Sequence, residues 1–295
     1  MSETREILKK IRRLELRTRR LVNDALAGQY HSIFKGRGMN FEDVRAYQPG
    51  DEVRFIDRNV TARTGELHVK NFTEERELTV VLLIDVSASG GFGSVTLSKR
   101  ELAAEVASLL AFSAIGNNDK VGLVLFSEGI ELFLPPKKGR SHVLRIIREV
   151  LFHEPRGRRT DLAAALDFLN KVVTRRAVVF LLSDFQAPPF ERPLAVTARR
   201  HDLVAVPVVD PLEEALPDVG RVTLEDAETG EQYEVNTSDA QTQSAFRHAV
   251  AKRRDALAAL LRRFGVDAIA LRTTEDYLPP LRAFFKTRER RLARR

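Results

Sequence analysis

The 295-residue chain contains no cysteine and no tryptophan. The lack of cysteine excludes disulfides, thiolate metal sites and thiol nucleophiles. The chain also lacks any apolar run near the roughly 18 residues that a membrane-spanning helix needs. Charged side chains interrupt the first 20 residues, where a secretory signal would carry an apolar segment. We therefore expect no membrane span, and the cytoplasm is the expected location.

Basic groups are concentrated at the two ends of the chain. Residues 1–28 hold eight Lys and Arg against four acidic residues, and residues 282–295 hold seven against one. Since the whole chain has a net charge of +7, the part between these ends carries a net charge of −3. A nucleic-acid-binding protein more often spreads its basic groups over a folded face with aromatic side chains among them. The charge pattern therefore does not favour nucleic acid as a partner, and it fits solvated terminal helices or an acidic partner.

The N-terminal quarter of the sequence divides into two unlike stretches. Residues 4–27 have helical periodicity, and Gly28 is the predicted end of that helix. The apolar stripe consists of Ile7, Ile11, Leu14, Leu21 and Ala25, with Thr18 as its polar gap. The first interpretation is that this stripe packs against the body of the protein. Its near-heptad spacing leaves open that two copies of the helix associate through it. Residues 29–77 show no sustained period, which predicts turns and short strands that end in an extended run near Leu67–Phe72.

From residue 78 onward, apolar runs of strand length alternate with helical patterns. The predicted strands are Leu78–Val86, Lys120–Phe126, Ile130–Leu134, Ala177–Ser183, Leu203–Val209 and Val266–Leu271. The predicted helices are Ser98–Ile115, Ser141–Leu151, Thr160–Val173, residues 239–264 and a last helix from about Asp276. Such alternation predicts an α/β fold, a Rossmann-like doubly wound and mostly parallel sheet with helices on both faces. The run closed by Pro135-Pro136 is predicted to be an antiparallel edge strand.

These patterns predict three parts of the chain. Residues 1–77 form an N-terminal helix and a small accessory region of strands and loops. Residues 78–275 form the α/β domain, with a hairpin inserted at about 221–235. Residues 276–295 form a basic C-terminal helix.

Five oxygen-bearing side chains lie where the ligand site of such a sheet is expected. Asp85, Ser87 and Ser89 follow the first predicted strand, and Asp184 follows the fourth. Thr160 lies at the predicted cap of the intervening helix. Because ligands bind beyond the carboxyl ends of parallel strands, near the point where strand order reverses, we expect these side chains to converge.

The donor set indicates a hard divalent cation. It consists of carboxylate and hydroxyl oxygens with no His or thiolate, and Mg²⁺ prefers that combination together with water. We expect Mg²⁺ before Mn²⁺ or Ca²⁺. With only two carboxylates serving it, the ion would stay electrophilic and accept a further Asp or Glu from a partner protein.

The order of these residues resembles the metal-ion-dependent adhesion site (MIDAS) of von Willebrand factor A (vWA) domains. That motif reads D-x-S-x-S, then a Thr on a later loop, then an Asp at the end of a later strand, and Asp85, Ser87, Ser89, Thr160 and Asp184 occupy its five places. The resemblance implies a vWA-type sheet. It also implies that the three hydroxyls ligate the ion directly and that the two carboxylates act largely through bound water.

A second resemblance lies upstream, in Gly36–Arg63 (G-R-G-M-N-F-E-D-V-R-A-Y-Q-P-G-D-E-V-R-F-I-D-R-N-V-T-A-R). This stretch resembles the signature of the DUF58 family, although Asp57-Arg58 stands where that family usually has Asp-Trp. The resemblance implies work with a MoxR-type AAA+ ATPase in a chaperone-like assembly role. From its charges, the stretch is interpreted as a collar of Arg–Asp pairs or as a docking surface. The collar pairs would join Arg45, Arg54 and Arg63 to Asp43, Asp51 and Asp57.

The leading hypothesis is a metal-dependent adaptor or scaffold for protein–protein interaction, and not an enzyme. The alternative is a metal-dependent phosphohydrolase with Asp85 as nucleophile. That chemistry normally uses a second Asp two residues on as general acid, where this chain has Ser87. The glycine-rich run Gly90–Ser94 matches neither a dinucleotide nor a P-loop motif. A third hypothesis makes the basic ends a nucleic-acid clamp.

Overall fold

The computed structural model describes residues 11–18, 21, 39–74, 77–94 and 97–293. Residues 11–18 and 21 are helical, as the periodicity predicts. Ile11, Leu14 and Thr18 are buried, and Leu21 packs against the same core. The described part of the stripe therefore packs on the body of the protein, while the predicted end at Gly28 lies outside the described residues.

The strands form one large sheet and two small ones. In chain order they are β1 (Met39–Ala46), β2 (His68–Glu74), β3 (Thr79–Asp85), β4 (Lys120–Phe126), β5 (Ile130–Lys137), β6 (Val178–Ser183), β7 (Asp202–Val209), β8 (Arg221–Glu225), β9 (Gln232–Asn236), β10 (Asp267–Ala268) and β11 (Leu271–Arg272). The large sheet has the order β10-β7-β6-β3-β4-β5, and β11 also pairs with β7.

Eight further helices are described after the N-terminal segment. They are α1 (Arg58–Thr64), α2 (Lys99–Gly116), α3 (Arg140–Phe152), α4 (Leu162–Val172), α5 (Glu191–Arg200), α6 (Pro211–Glu214), α7 (Ala240–Arg263) and α8 (Leu278–Ala293). Short 3-10 turns lie at Val53–Phe55 and Ala88–Gly91. None of the described helices combines the length and apolar character that crossing a membrane requires.

The large sheet confirms the predicted α/β fold. All its pairings are parallel except that of β4 with β5, which makes β5 the predicted antiparallel edge strand. The chain runs from β3 outward through β4 to β5 and then returns to β6 on the other side of β3. Strand order therefore reverses between β3 and β6, and their carboxyl ends mark the expected ligand site.

Two apolar cores cover the two faces of this sheet. One contains the inward side chains of α2, α3 and α8 together with Ile11 and Leu14 of the N-terminal segment. The other contains those of α4 and α5 and the end of α7. Because both faces are covered, the central strands are apolar throughout: five consecutive residues of β3, Val80–Ile84, are buried.

The accessory region is a two-stranded antiparallel sheet of β1 and β2, and α1 lies in the chain segment that connects them. The predicted collar is right in one pair: Arg45 binds Asp51 through two hydrogen bonds of 2.8 and 2.7 Å. It is wrong in another, because Arg54 pairs with Glu52. Asp57 caps α1 by accepting backbone N–H groups, and its Oδ2 lies 3.6 Å from the Lys70 ammonium. The short helix and its cap therefore take the carboxylate that the sequence assigned to an arginine.

Several elements of the α/β region differ from the sequence prediction. The short helix α6 was not predicted, and β5 continues through Pro135-Pro136 to Lys137 instead of ending before them. The last strand, predicted as Val266–Leu271, consists of two separate two-residue pairings with β7, at β10 and β11. Helix α5 was not predicted from the sequence, although it contains a single proline. Pro193 lies in the first turn of α5, where a backbone N–H has no helical partner to lose.

Candidate metal centre

Asp85 ends the buried strand β3 at the middle of the sheet edge. Its Oδ1 accepts a hydrogen bond of 2.9 Å from the Ser87 backbone N–H. The chain then turns through a short 3-10 segment, and the hydroxyls of Ser87 and Ser89 lie 3.1 Å apart. The carboxylate and both hydroxyls of the D-V-S-A-S segment therefore point into one small region.

Thr160 reaches the same region from another loop. It is buried, and its hydroxyl lies 3.3 Å from Asp85 Oδ2. The prediction that Thr160 caps the following helix is wrong: Asp161 caps α4 by accepting from the Ala164 N–H. The one-residue shift leaves the Thr160 side chain free of the helix and directs it to Asp85.

The loop that carries Thr160 is held by a carboxylate of the edge strand. Glu131 Oε1 accepts hydrogen bonds from the Ser127 hydroxyl at 2.6 Å and from the Arg156 and Gly157 N–H groups at 3.0 Å each. Gly157 has no room for a Cβ, which would collide with the Ser127 hydroxyl and the Glu128 side chain. The loop path therefore depends on Glu131 and on a glycine.

Asp184 enters from β6, the strand beside β3. Ser183, the last residue of that strand, donates a 2.7 Å hydrogen bond to Asp85 Oδ2. The next residue, Phe185, has φ of 59°, a left-handed conformation that side chains other than glycine rarely adopt. Asp85, Ser89 and Asp184 line one cleft at the carboxyl edge of the sheet.

A buried lysine balances part of the charge in this cleft. Lys99, in the first turn of α2, donates hydrogen bonds of 2.7 Å to Asp184 and 2.6 Å to Glu213. Its side chain is 5% exposed. Burial lowers the pKa of Lys99, but the charges of Asp184 and Glu213 outweigh it and leave the pKa raised. The ammonium group stays charged and fixes Asp184 in place.

Within the described part of the chain, no basic side chain forms an ion pair with the Asp85 carboxylate. Its removal from water raises its pKa, and the negative charge of Asp184 adds to the effect, so that the pKa of Asp85 is about 6 despite hydrogen bonds from Ser87 and Ser183. A bound cation would reverse both effects by neutralising the two carboxylates.

A further carboxylate contacts the site from the inserted hairpin, where β8 and β9 pair. Glu228 Oε1 lies 3.0 Å from the Thr160 hydroxyl. That hydroxyl has one proton and two carboxylate neighbours, Asp85 and Glu228, so it can donate to only one of them at a time. Burial raises the pKa of Glu228, and the charges of Asp184 and Asp226 add to this. A cation bound between these carboxylates would relieve their mutual repulsion.

The five side chains predicted from the sequence are thus brought together by the fold. Across the described ranges, no group of three or more His, Cys, Asp or Glu side chains has an arrangement suited to a metal. The oxygens collected here fit a hard ion through a different combination, two carboxylates with three hydroxyls. That they bind a metal stays a prediction.

Four further residues of the site were not predicted from the sequence: Ser183, Lys99, Glu213 and Glu228. Ser183 carried a usable signal, since it directly precedes Asp184 at a strand end. Lys99 and Glu213 lie 114 positions apart and meet only in the fold. Glu228 lies in the hairpin predicted at about 221–235, but no local pattern shows which part of the fold the tip of that hairpin contacts.

Residues 43–256 match the DUF58 family, described as "Protein of unknown function DUF58". Because this match covers most of the chain, the protein belongs to the DUF58 family. The expected family assignment is confirmed.

Curated relatives extend the likeness over nearly the whole chain. The uncharacterized protein Rv1480 of Mycobacterium tuberculosis is 36% identical over 283 residues, which is 95% of this chain and 89% of the relative. The uncharacterized protein YeaD of Bacillus subtilis is 30% identical over 107 residues, 36% of this chain and 25% of that protein. Neither relative has a described activity.

Solved structures with partial likeness include BatB from Bacteroides thetaiotaomicron, with 15% identity, coverage of 74% of this chain and 100% of that one, and a TM-score of 0.45. The SpRpn10 VWA domain has 10% identity, coverage of 70% and 93%, and a TM-score of 0.37. The mussel byssus protein PTMP1, with a zinc-occupied MIDAS motif, has 17% identity, coverage of 45% and 38%, and a TM-score of 0.37. Scores of this size do not assign a function.

Proposed function

We propose that this protein is a metal-dependent interaction module whose MIDAS-type site binds a divalent cation, most readily Mg²⁺, and accepts an acidic side chain from a partner protein. The observation that carries the proposal is the meeting of Asp85, Ser87, Ser89, Thr160 and Asp184 where strand order reverses. Mn²⁺ and Ca²⁺ share the preference for oxygen ligands.

Each group has a distinct part in this proposal. Ser87, Ser89 and Thr160 would supply neutral oxygens, which leave the ion's charge undiminished. Asp85 and Asp184 would hold the ion in the cleft, largely through water. Lys99 keeps Asp184 in position and offsets part of its charge. The bound ion would supply a positive centre able to bind an external carboxylate.

A MoxR-type AAA+ ATPase is the proposed partner class, in a chaperone-like assembly role. The support for it is family membership together with the resemblance of Gly36–Arg63 to the DUF58 signature. We propose a cytoplasmic adaptor that has no catalytic activity of its own and does not depend on nucleic acid.

The alternative, a phosphohydrolase with Asp85 as nucleophile, has weaker support. Both carboxylate oxygens of Asp85 accept hydrogen bonds, Oδ1 from the Ser87 N–H and Oδ2 from Ser183. Ser87 stands where a general acid would be needed, and a serine hydroxyl is a poor acid at neutral pH. Turnover of phosphate esters that is lost in Asp85→Asn would favour this alternative.

The test of the interaction proposal is capture of a MoxR-type ATPase by the purified protein with Mg²⁺ or with EDTA. We expect capture with Mg²⁺, and loss of at least tenfold with EDTA, which removes the ion, or in Asp85→Ala, which removes a carboxylate that holds it. Asp255→Ala is the matched control because its side chain is 74% exposed on α7. Capture that survives both EDTA and Asp85→Ala would contradict the proposal.

A further inference from the structure

The hairpin of β8 and β9 (residues 221–236) differs from the elements around it in how it is held. Most of its residues are exposed on both faces of the two strands. A two-stranded hairpin is marginally stable by itself, because it buries little apolar surface. Contacts at its tip must therefore determine where the tip lies.

Two hydrogen bonds join that tip to the loop that carries Thr160. Arg158 donates to the Ala227 carbonyl at 3.0 Å, and Thr160 donates to Glu228 Oε1 at 3.0 Å. The turn itself is shaped by Asp226, whose Oδ1 accepts from the Glu228 and Thr229 N–H groups. The turn thus presents the Glu228 side chain to the candidate metal centre.

The place that Glu228 occupies is unusual for a carboxylate. Glu228 and Asp85 both lie within hydrogen-bond distance of the Thr160 hydroxyl, and the negative charge of Asp184 repels the Glu228 carboxylate. The carboxylates of Asp85, Asp184 and Glu228 repel one another, and Lys99 pairs with that of Asp184 alone among them, so a cation bound between the three would lower their repulsion. The Thr160 hydroxyl attracts the Glu228 carboxylate to this position, and a cation bound beside Asp85 would attract it further.

We propose that Glu228 is an internal ligand of the metal centre, which takes the coordination position open to a partner's acidic side chain and must be displaced when the partner binds. This inference rests on the proposed function and adds its regulation. The hairpin is then a tethered competitor, present at high local concentration because it belongs to the same chain.

Competition between the hairpin and the partner for the ion determines how much the partner's apparent dissociation constant should change when Glu228 is removed. A partner binds only the fraction of molecules whose hairpin is released, so its apparent dissociation constant is the intrinsic one divided by that fraction. If the hairpin ligates the ion in about nine-tenths of molecules, its removal strengthens capture of an acidic ligand about tenfold. The ion itself loses one ligand, so Mg²⁺ binds a few-fold more weakly.

The experiment compares the wild type with Glu228→Gln, Asp85→Asn and Glu234→Gln. Glu234 belongs to the same hairpin but has an exposed side chain, which makes its substitution the matched control. The first readout is amide hydrogen exchange of residues 226–230 with and without Mg²⁺. We expect Mg²⁺ to slow this exchange about tenfold in the wild type and in Glu234→Gln, and to leave it unchanged in Glu228→Gln.

The second readout is binding of the peptide acetyl-Gly-Glu-Gly-amide at saturating Mg²⁺, followed by ligand-observed NMR. We expect Glu228→Gln to bind about tenfold more tightly than the wild type and Asp85→Asn not to bind. If the wild type and Glu228→Gln bind Mg²⁺ and the peptide alike, with no change in hairpin exchange, the inference is overturned while the proposed function stands. If the wild type does not bind Mg²⁺ at all, both are overturned.

Discussion

The carboxyl edge of the sheet and the inserted hairpin meet at one site, but they are held in different ways. Asp85 and Asp184 leave strands whose side chains are buried on both faces of the sheet. Glu228 comes from a hairpin whose strands are largely exposed. Packing therefore fixes the first two carboxylates before any ligand arrives, whereas polar contacts with the site place the third.

This contrast separates a prebuilt part of the site from an adjustable part. Ligands on packed strands keep their geometry because core side chains have little freedom to move. A hairpin held by a few polar contacts opens at low free-energy cost. A binding site that must hold an ion firmly and still admit a partner needs both properties.

The largest change in the free energy of unfolding is expected from removal of Lys99, whose buried ion pairs belong to the prebuilt part of the site. Lys99→Ala would leave Asp184, whose side chain is 4% exposed, and Glu213, whose side chain is 20% exposed, without their shared cation. Removing one partner of a buried ion pair costs about 3–5 kcal/mol in the free energy of unfolding. Urea denaturation in EDTA measures the change, with Lys171→Ala, an exposed lysine on α4, as control. A loss below about 1 kcal/mol would mean that Lys99 does not hold this edge together.

A smaller change in the free energy of unfolding is expected from substitution of Glu131, which holds the loop that carries Thr160. Burial works to raise the pKa of Glu131, but hydrogen bonds from Ser127, Gly157 and Arg156 outweigh it and lower the pKa to about 2. Because hydrogen bonds to a charged acceptor are stronger than those to a neutral one, Glu131→Gln should cost about 1–2 kcal/mol at pH 7.

The same residue gives a pH dependence with a defined sign. A carboxyl whose pKa is lower in the folded state stabilises the fold above its unfolded pKa, and this contribution is lost as pH falls toward the folded value. The stability difference between wild type and Glu131→Gln should therefore be full above about pH 5 and shrink as pH falls from 4.5 toward 2. Urea denaturation from pH 7 to pH 3 follows it. A difference independent of pH would show that the charge of Glu131 is not what holds the loop.

The smallest effect on stability is expected from the hairpin. The Cα atoms of Arg221 and Asn236 face each other at its base, so residues 222–235 can be replaced by a short Gly-Ser loop. Since the strands bury little, the free energy of unfolding without metal should change by less than about 1 kcal/mol. If urea denaturation shows that the free energy of unfolding falls by about 3 kcal/mol or more, the hairpin is part of the packed core, and it does not differ from the sheet edge in the way proposed.

The same contrast explains what could be predicted from the sequence. The central strands were predicted within a residue or two, because strands covered on both faces are continuous apolar runs. The order of Asp85, Ser87, Ser89, Thr160 and Asp184 predicted their convergence, since parallel strands bring their carboxyl ends to one edge. The side-chain contacts confirm that these residues meet.

The rest depends on contacts between residues far apart in sequence. Lys99 is an ordinary helix residue until the fold places it between Asp184 and Glu213. The hairpin at residues 221–236 was predicted as a local element, but its direction is set by the loop at Arg158 and Thr160. Helix α5 was not predicted from the sequence, although the proline in its first turn costs no helical hydrogen bond.

The central claim is that Asp85 and its neighbours form a site for one divalent cation. Isothermal titration of the metal-free protein with Mg²⁺ tests it most directly, with Asp85→Asn beside the exposed control Asp255→Asn. We predict binding of a single ion per chain by the wild type and by Asp255→Asn, and affinity at least tenfold weaker in Asp85→Asn. No Mg²⁺ binding by the wild type, or equal binding by Asp85→Asn, would contradict the account.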